Sequence, residues 1–141
     1  ATTKSFAIEV LINGESKCCN MIIKNEPMPN GSISVTKEFG TNVANQESAE
    51  LVVYESDFME ETFDVDKDFV LGTATLELPG NLPAGSPIQV TFTLSTEGIL
   101  EVSGVDKTTG REVHATMKAK GIMAEEKVDE LKEKSKQMVV M

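Results

Sequence analysis

The sequence predicts an all-β fold, an antiparallel β-sandwich followed by a C-terminal amphipathic helix. Apolar and polar residues alternate in short runs along the first 120 residues, as they do in strands with one face in water. Asn-Gly, Pro and Gly turn signals separate these runs. After Gly121 the apolar spacing changes to three or four residues, which is typical of a helix.

The first half of the chain contains four predicted strands. Alternating apolar residues mark a first strand over residues 6–12, and Asn13-Gly14 predicts a tight turn into a second strand, CCNMIIK. Two prolines then interrupt any regular ladder before the alternation resumes over residues 33–39. The stretch GTNVANQ has the composition of a loop, and a fourth strand follows over residues 49–54.

Residues 55–68, ESDFMEETFDVDKD, form an acidic segment with seven acidic residues and one lysine. A calcium loop would need alternating oxygen ligands and a Gly at its sharp turn, and this segment contains no Gly. We therefore interpret the acidic segment as a long solvated loop between strands.

The second half contains one more strand and then a meander of three. A strand is predicted from Phe69 to Leu78, followed by the loop PGNLPAGSP. In residues 88–95 the apolar side chains point one way and the Gln, Thr and Ser side chains the other, as in an antiparallel strand with one wet face. Turns at residues 96–98 and 106–110 lead to two further strands, which carry Leu100 and Val102, and then Val113, Ala115 and Met117.

The helix is predicted within residues 121–141. Its apolar stripe is formed by Ala124, Val128, Leu131, Ser135 and Met138, with ion pairs such as Glu130–Lys134 beside it. The stripe is narrow, so the helix must lie on another surface to be stable. We divide the chain into a β-sandwich over residues 1–120 and a C-terminal helix over residues 121–141.

Charge and hydropathy limit the partners. The 141 residues include 23 acidic and 13 basic side chains, which gives a formal charge of −10. That field repels a phosphate backbone, so we expect no nucleic acid partner; it either weakly favours basic or neutral partners or only keeps the domain soluble. No apolar run approaches the ~20 residues of a membrane span, so we expect no membrane partner.

Cys18 and Cys19 are adjacent and are the only cysteines. Neighbours on a strand point to opposite faces, so a disulfide between them would strain the backbone. We expect buried or half-buried free thiols, and hence a reducing, cytoplasmic compartment. The single histidine, His114, is predicted to be a solvent-side strand residue rather than a ligand.

The sequence contains no set of residues typical of catalysis. One histidine would have to serve any triad, no Gly-rich phosphate loop has the required spacing and lysine, and the paired carboxylates lie in stretches that read as exposed. We therefore predict that the chain is not an enzyme, with no catalytic residues, no metal ligands and no bound cofactor. A β-sandwich of this kind is most naturally a binding domain.

One ordered set of motifs resembles the substrate-binding domain of seventy-kilodalton heat-shock (DnaK-type) chaperones. The set consists of Ile88/Val90/Phe92, Gly98-Ile99-Leu100, Val102-Ser103 and Asp106-Lys107-Thr108-Thr109-Gly110. Looser matches precede it in the same order, among them Ser5-Phe6-Ala7-Ile8-Glu9, Lys24-Asn25, Asn45-Gln46 and Val53-Tyr54-Glu55. The likeness covers about residues 4–134.

The resemblance implies a cleft that holds a short, extended segment of an unfolded polypeptide. Loop backbone groups would bond the peptide main chain, and one pocket would take an apolar, usually leucine-like, side chain. The peptide-binding residues expected from the family are Phe6, Ile8, Val10, Leu11, Phe39, Gly40, Asn42, Gln46, Ala49 and Leu51. By position, Leu11 and Asn42 are the two residues that arch over the bound peptide.

Ala49 stands where the family usually has a larger aliphatic residue at the pocket floor. We therefore expect a deeper pocket that tolerates aromatic or longer side chains.

The family's nucleotide-binding domain is missing from this sequence, so the resemblance implies a fragment that binds peptide without hydrolysing ATP. ATP is expected as a cofactor only of the full-length protein. The apolar tail, residues 137–141, is of the kind such a cleft binds, and the hypothesis that follows is self-binding, in which the tail occupies its own cleft or that of a neighbouring molecule.

A second reading stays open on the residues alone. Ile8, Val10, Phe39 and Leu51 would be apolar in any sandwich, so they could be sealed core in a structural or adhesive domain whose partner is a folded protein.

Overall fold

The computed structural model describes residues 1–121, which form two antiparallel sheets packed face to face. The nine strands are β1 (Ser5–Ile12), β2 (Glu15–Ile22), β3 (Ser32–Gly40), β4 (Ser48–Ser56), β5 (Thr62–Asp64), β6 (Val70–Glu77), β7 (Pro87–Ser95), β8 (Ile99–Asp106) and β9 (Glu112–Lys118). The first sheet has the order β5-β2-β1-β4-β6, and the second has the order β3-β7-β8-β9. The predicted antiparallel β-sandwich is confirmed, whereas the predicted helix and the tail at 137–141 lie outside the described residues.

The turn between β1 and β2 follows the Asn-Gly signal. Asn13 and Gly14 have φ angles of 53° and 82°, so both adopt the left-handed conformation that a two-residue hairpin requires. Ile12 consequently pairs directly with Glu15. The second strand therefore begins three residues before the predicted start at Cys18, because a two-residue turn returns the chain to the ladder at once.

The predicted meander of β7, β8 and β9 is confirmed. Each strand pairs with the next along nearly its whole length, from Ile88–Asp106 to Leu94–Leu100 and from Ile99–Lys118 to Val105–Glu112. The fully buried Asp106 closes the second turn, because its carboxylate accepts the backbone N–H of Thr108 at 2.9 Å and the Thr109 hydroxyl.

The main core lies between the two sheets. Its largest fully buried side chains alternate along the strands, including Phe6 on β1, Phe92 and Leu94 on β7, and Leu100 on β8. These are the inward positions that the alternation predicts. A second, smaller apolar cluster lies on the outer face of the first sheet and contains Ala7, Cys18, Tyr54 and Phe63.

The acidic segment differs from the predicted solvated loop. Glu55 and Ser56 belong to β4 and are buried, residues 62–64 form β5 against β2, and a short 3-10 helix spans Lys67–Phe69. Phe63 explains this ordering, since its ring packs into the outer cluster. The interpretation as one loop was therefore wrong, because a charge count hides the few apolar residues that decide burial.

Glu55 holds the far end of the described chain. Its two carboxylate oxygens accept the backbone N–H groups of Lys120 and Gly121, each at 2.6 Å. A side chain at residue 121 would meet that carboxylate, since an added Cβ would lie 2.8 Å from its Oε2.

Cys18 and Cys19 are both buried free thiols on opposite faces of β2, as predicted. Cys19 packs in the core between the sheets, and Cys18 packs in the outer cluster. Burial raises the pKa of the Cys18 thiol to about 11. His114 is exposed on β9, also as predicted.

None of the helical structure within residues 1–121 has the length and apolar character needed to cross a bilayer.

Candidate functional site

The first sheet is split at one end. The ladder between β1 and β4 runs from Ser5–Ser56 to Ile8–Val53 and stops there. Beyond that point β1 keeps only β2 as a neighbour, and β4 keeps only β6. Within residues 1–121, the strand edges that face each other across the split therefore have no ladder partner.

A cavity of about 470 Å³ occupies the split. Its floor is apolar and is formed by Ile8, Leu51, Ile88 and Val90, each at most 4% exposed. Ile88 and Val90 belong to β7, in the second sheet. That sheet remains paired beneath the cavity, because β3 matches β7 from Ser32–Ser95 to Gly40–Pro87. The opening is thus a cleft in one layer of the sandwich with the other layer as its base.

The rim of the cleft consists of more exposed residues from both sides. Leu11 lies on β1 and is 48% exposed, and the exposed Asn42 lies in the loop after β3. Phe39 and Ala49 are partly buried between rim and floor. The cleft therefore grades from a buried apolar base to a solvent-exposed edge.

The loop from Thr41 to Glu47 is fixed by its own hydrogen bonds. The Gln46 side-chain oxygen accepts the backbone N–H groups of Asn42 and Val43 at 2.9 and 3.3 Å, and its amide donates to the Ser48 carbonyl at 2.8 Å. Asn45 adopts a φ of 62° and donates its N–H to the Leu82 carbonyl at 2.8 Å. The Gln46 side chain thus holds the backbone of Asn42 in place.

The same loop is joined to the loop before β7. The Thr41 N–H donates to the Ser86 carbonyl, and the Gly85 N–H donates to the Thr41 carbonyl, both at 2.9 Å. Gly40 permits this approach, because a Cβ there would lie 3.2 Å from the Gly85 Cα. A larger residue at position 40 would push the two loops apart.

Glu9 and Glu50 are the only charged residues that line the cleft in the described part of the chain. The Glu50 carboxylate accepts the Thr75 hydroxyl at 3.0 Å. The Glu9 carboxylate accepts the Tyr54 hydroxyl at 2.5 Å and the Lys67 ammonium at 2.9 Å. Burial acts to raise the pKa of Glu9, but these hydrogen bonds outweigh it and hold that pKa below its usual value.

The structure brings nine of the ten predicted site residues together around the cleft, namely Ile8, Val10, Leu11, Phe39, Gly40, Asn42, Gln46, Ala49 and Leu51. Phe6 is the exception. It is 1% exposed, lies in the core and does not line the cleft. The reason is the ladder: Phe6 lies on the paired part of β1, where Glu55 of β4 is its neighbour.

Seven lining residues were not among the predicted ones: Glu9, Ser16, Thr41, Glu50, Val52, Ile88 and Val90. Ile88 and Val90 carry the same alternation as the core residues of β7, so no local signal separates them. Glu9 and Glu50 follow from the strand assignment, because they sit between predicted lining residues.

A model of the protein family described as "Hsp70 protein" matches residues 2–140 of the chain. The match therefore spans almost the whole sequence, including both sheets and every residue that lines the cleft.

Proposed function

The chain belongs to the Hsp70 family, and from this premise we propose that it is the substrate-binding part of a DnaK-type chaperone. It binds short, extended, apolar segments of unfolded polypeptides in the cleft between β1 and β4. The observation that carries the proposal is the split ladder over a buried apolar floor. The binding itself involves no catalysis by this chain.

The unpaired strand edges supply affinity that does not depend on the peptide's sequence. Alternate backbone groups of Glu9–Ile12 and Ser48–Val52 face the split, since a strand directs its N–H and C=O groups to both sides in turn. An extended peptide can satisfy such groups with its own main chain. A folded surface cannot enter the split to do so, which favours unfolded segments.

The apolar floor supplies the preference for one kind of side chain. A leucine-like side chain placed over Ile8, Leu51 and Val90 leaves water almost completely. Complete burial of such a side chain is worth about 1.5–3 kcal/mol. The two acidic lining residues do not oppose this, since both carboxylates already have partners. Glu9 accepts from Tyr54 and Lys67, and Glu50 accepts the Thr75 hydroxyl.

Leu11 and Asn42 are the proposed arch over the peptide. Both line the cleft from its exposed rim, one from β1 and one from the Gln46-braced loop. Within residues 1–121, these are the two side chains that we propose to lie over the peptide.

Fluorescence anisotropy with a labelled, leucine-rich peptide tests the proposal. Saturable binding is expected for the wild type, and Val10→Asp should abolish it by placing a carboxylate in the apolar cleft. Val105→Asp is the matched control, because Val105 lies on the outer face of the second sheet and should leave binding unchanged. Absence of binding by the wild type would favour the alternative, a β-sandwich that binds a folded partner.

A further inference from the structure

Glu9 is the first residue of β1 beyond the ladder with β4. The last ladder pair is Ile8–Val53, and Tyr54 of β4 is paired with Ala7. The Tyr54 side chain reaches past its own partner to Glu9, two residues farther along the same face of β1. The Tyr54–Glu9 hydrogen bond therefore lies at the fork where the two strands separate.

Lys67 joins the same group from the 3-10 helix of the acidic segment. Its ammonium donates to the Glu9 carboxylate at 2.9 Å and lies 5.8 Å from the centre of the Tyr54 ring. Tyr54 is fully buried, whereas the Lys67 side chain is 69% exposed. A buried hydroxyl that donates to a carboxylate is a strong hydrogen bond, while an exposed ion pair contributes little.

Val10 and Leu11 follow immediately in the part of β1 that pairs with β2 alone, and both line the cleft. Past Ile8 this part of β1 has no ladder contact with β4, so a tether at Glu9 limits how far it can swing away. In the described chain, the Tyr54–Glu9 pair is the only hydrogen bond between side chains of β1 and β4.

We propose that Glu9 and Tyr54, with Lys67 in support, form a brace that positions the cleft wall and thereby sets how long a peptide stays bound. The proposal rests on the proposed function for its peptide readout, but the brace itself is a property of the free protein. All three are positioning residues. Glu9 borders the cleft, but its carboxylate is bonded to Tyr54 and Lys67 on the outer face of the first sheet. Ile8 and Val10, by contrast, point inward.

Hydrogen exchange of the free protein tests the brace without any ligand. Tyr54→Phe keeps the ring in the outer cluster and removes only the hydroxyl. Glu9→Met removes the acceptor oxygens and keeps a side chain of similar length. Each should raise the exchange rate of those amides in residues 9–12 that bond to β2 by about fivefold to tenfold, and leave the amides in residues 5–8 unchanged. Equal rates in wild type and variants would overturn the brace.

Peptide dissociation tests the consequence. Both single variants should release a bound leucine-rich peptide about fivefold to tenfold faster, and the double variant should be no faster than either, because both remove the same hydrogen bond. Lys67→Met should change the rate by less than about twofold. Phe63→Leu is the control, because it loosens the same outer cluster but leaves the hydrogen bond intact.

The outcomes separate the two proposals. Binding by the wild type with unchanged dissociation in the variants would overturn the brace alone. Equal acceleration by Phe63→Leu would also overturn it, since general loosening would then explain the effect. No saturable binding by the wild type would overturn the proposed function and the residence-time role together.

Discussion

The two halves of β1 have the same alternating sequence pattern and opposite surroundings. From Ser5 to Ile8 the strand lies between β2 and β4 and is completely buried. From Glu9 to Ile12 it has β2 alone, and it changes from partly buried at Glu9 and Val10 to exposed at Leu11 and Ile12. A sealed interior and an open groove are thus built from one continuous strand.

The difference shows that pairing with β4, rather than residue type, decides whether an apolar side chain of β1 lies in the core or lines the cleft. Phe6 and Val10 are both apolar and point to the same face, yet one is core and the other lines the cleft. The second sheet is continuous under both halves, so the groove is a gap in one layer only.

Phe6→Ala should give the largest loss of stability, because it disrupts the buried half of β1, residues 5–8. Removing most of a fully buried aromatic side chain leaves a cavity and typically costs about 3–5 kcal/mol. We expect a loss of that size in the free energy of unfolding, measured by urea denaturation. Val10→Ala should cost clearly less, because Val10 is only partly buried. Equal losses at the two positions would remove the distinction between the halves.

Asp106→Ala should weaken the layer beneath the groove. Asp106 pairs with Ile88 of the cleft floor and closes the turn after β8 through its buried carboxylate. Leaving the Thr108 and Thr109 donors without a partner should cost about 1–3 kcal/mol of unfolding free energy.

The pH dependence of the Asp106 contribution has a definite sign. Burial acts to raise its pKa, but hydrogen bonds from Thr109 and Thr108 outweigh this and hold the pKa below its usual value. Its contribution is therefore present above the unfolded-state pKa and is lost as pH falls through the lower folded-state pKa. Asp106→Asn should flatten this part of the acid unfolding curve, and an unchanged curve would contradict the assignment.

Ala49→Leu should have the smallest effect on stability, and it tests the shape of the cleft. Ala49 lines the cleft and is only partly buried, so the added side chain should fill space in the groove with little change in stability. We expect the variant to shift the ratio of affinities by about tenfold from phenylalanine-centred toward leucine-centred peptides. Competition anisotropy with the two peptides measures the ratio, and a constant ratio would contradict the deeper-pocket hypothesis.

Many of the strands and turns can be predicted from the sequence, because the alternation of apolar residues and the residue preferences of turns depend only on nearby positions in the chain. The Asn13-Gly14 turn, the meander of β7 to β9 and the opposite faces of the two cysteines all follow from short-range rules. The acidic segment was misjudged, since Phe63 outweighs the carboxylates around it.

The cleft could be predicted only through the family resemblance. Alternation assigns Phe6 and Val10 to one face but cannot tell where β1 parts from β4, a strand some forty residues away. The same limit hides the Tyr54–Glu9 contact, which depends on the register of the two strands. The register between distant strands is set by the packing of the whole domain, so the residues next to a contact in the sequence do not predict it.

The adjacent thiols of β2 give the molecule two separate internal reporters. Cys19 packs between the two sheets, and Cys18 packs in the outer cluster with Tyr54 and Phe63. We therefore expect a labelling reagent to reach each thiol when a different part of the domain opens. Mass spectrometry of one peptide that contains both positions would measure the relative labelling of Cys18 and Cys19. This ratio would report whether the core between the sheets or the outer cluster opens more readily.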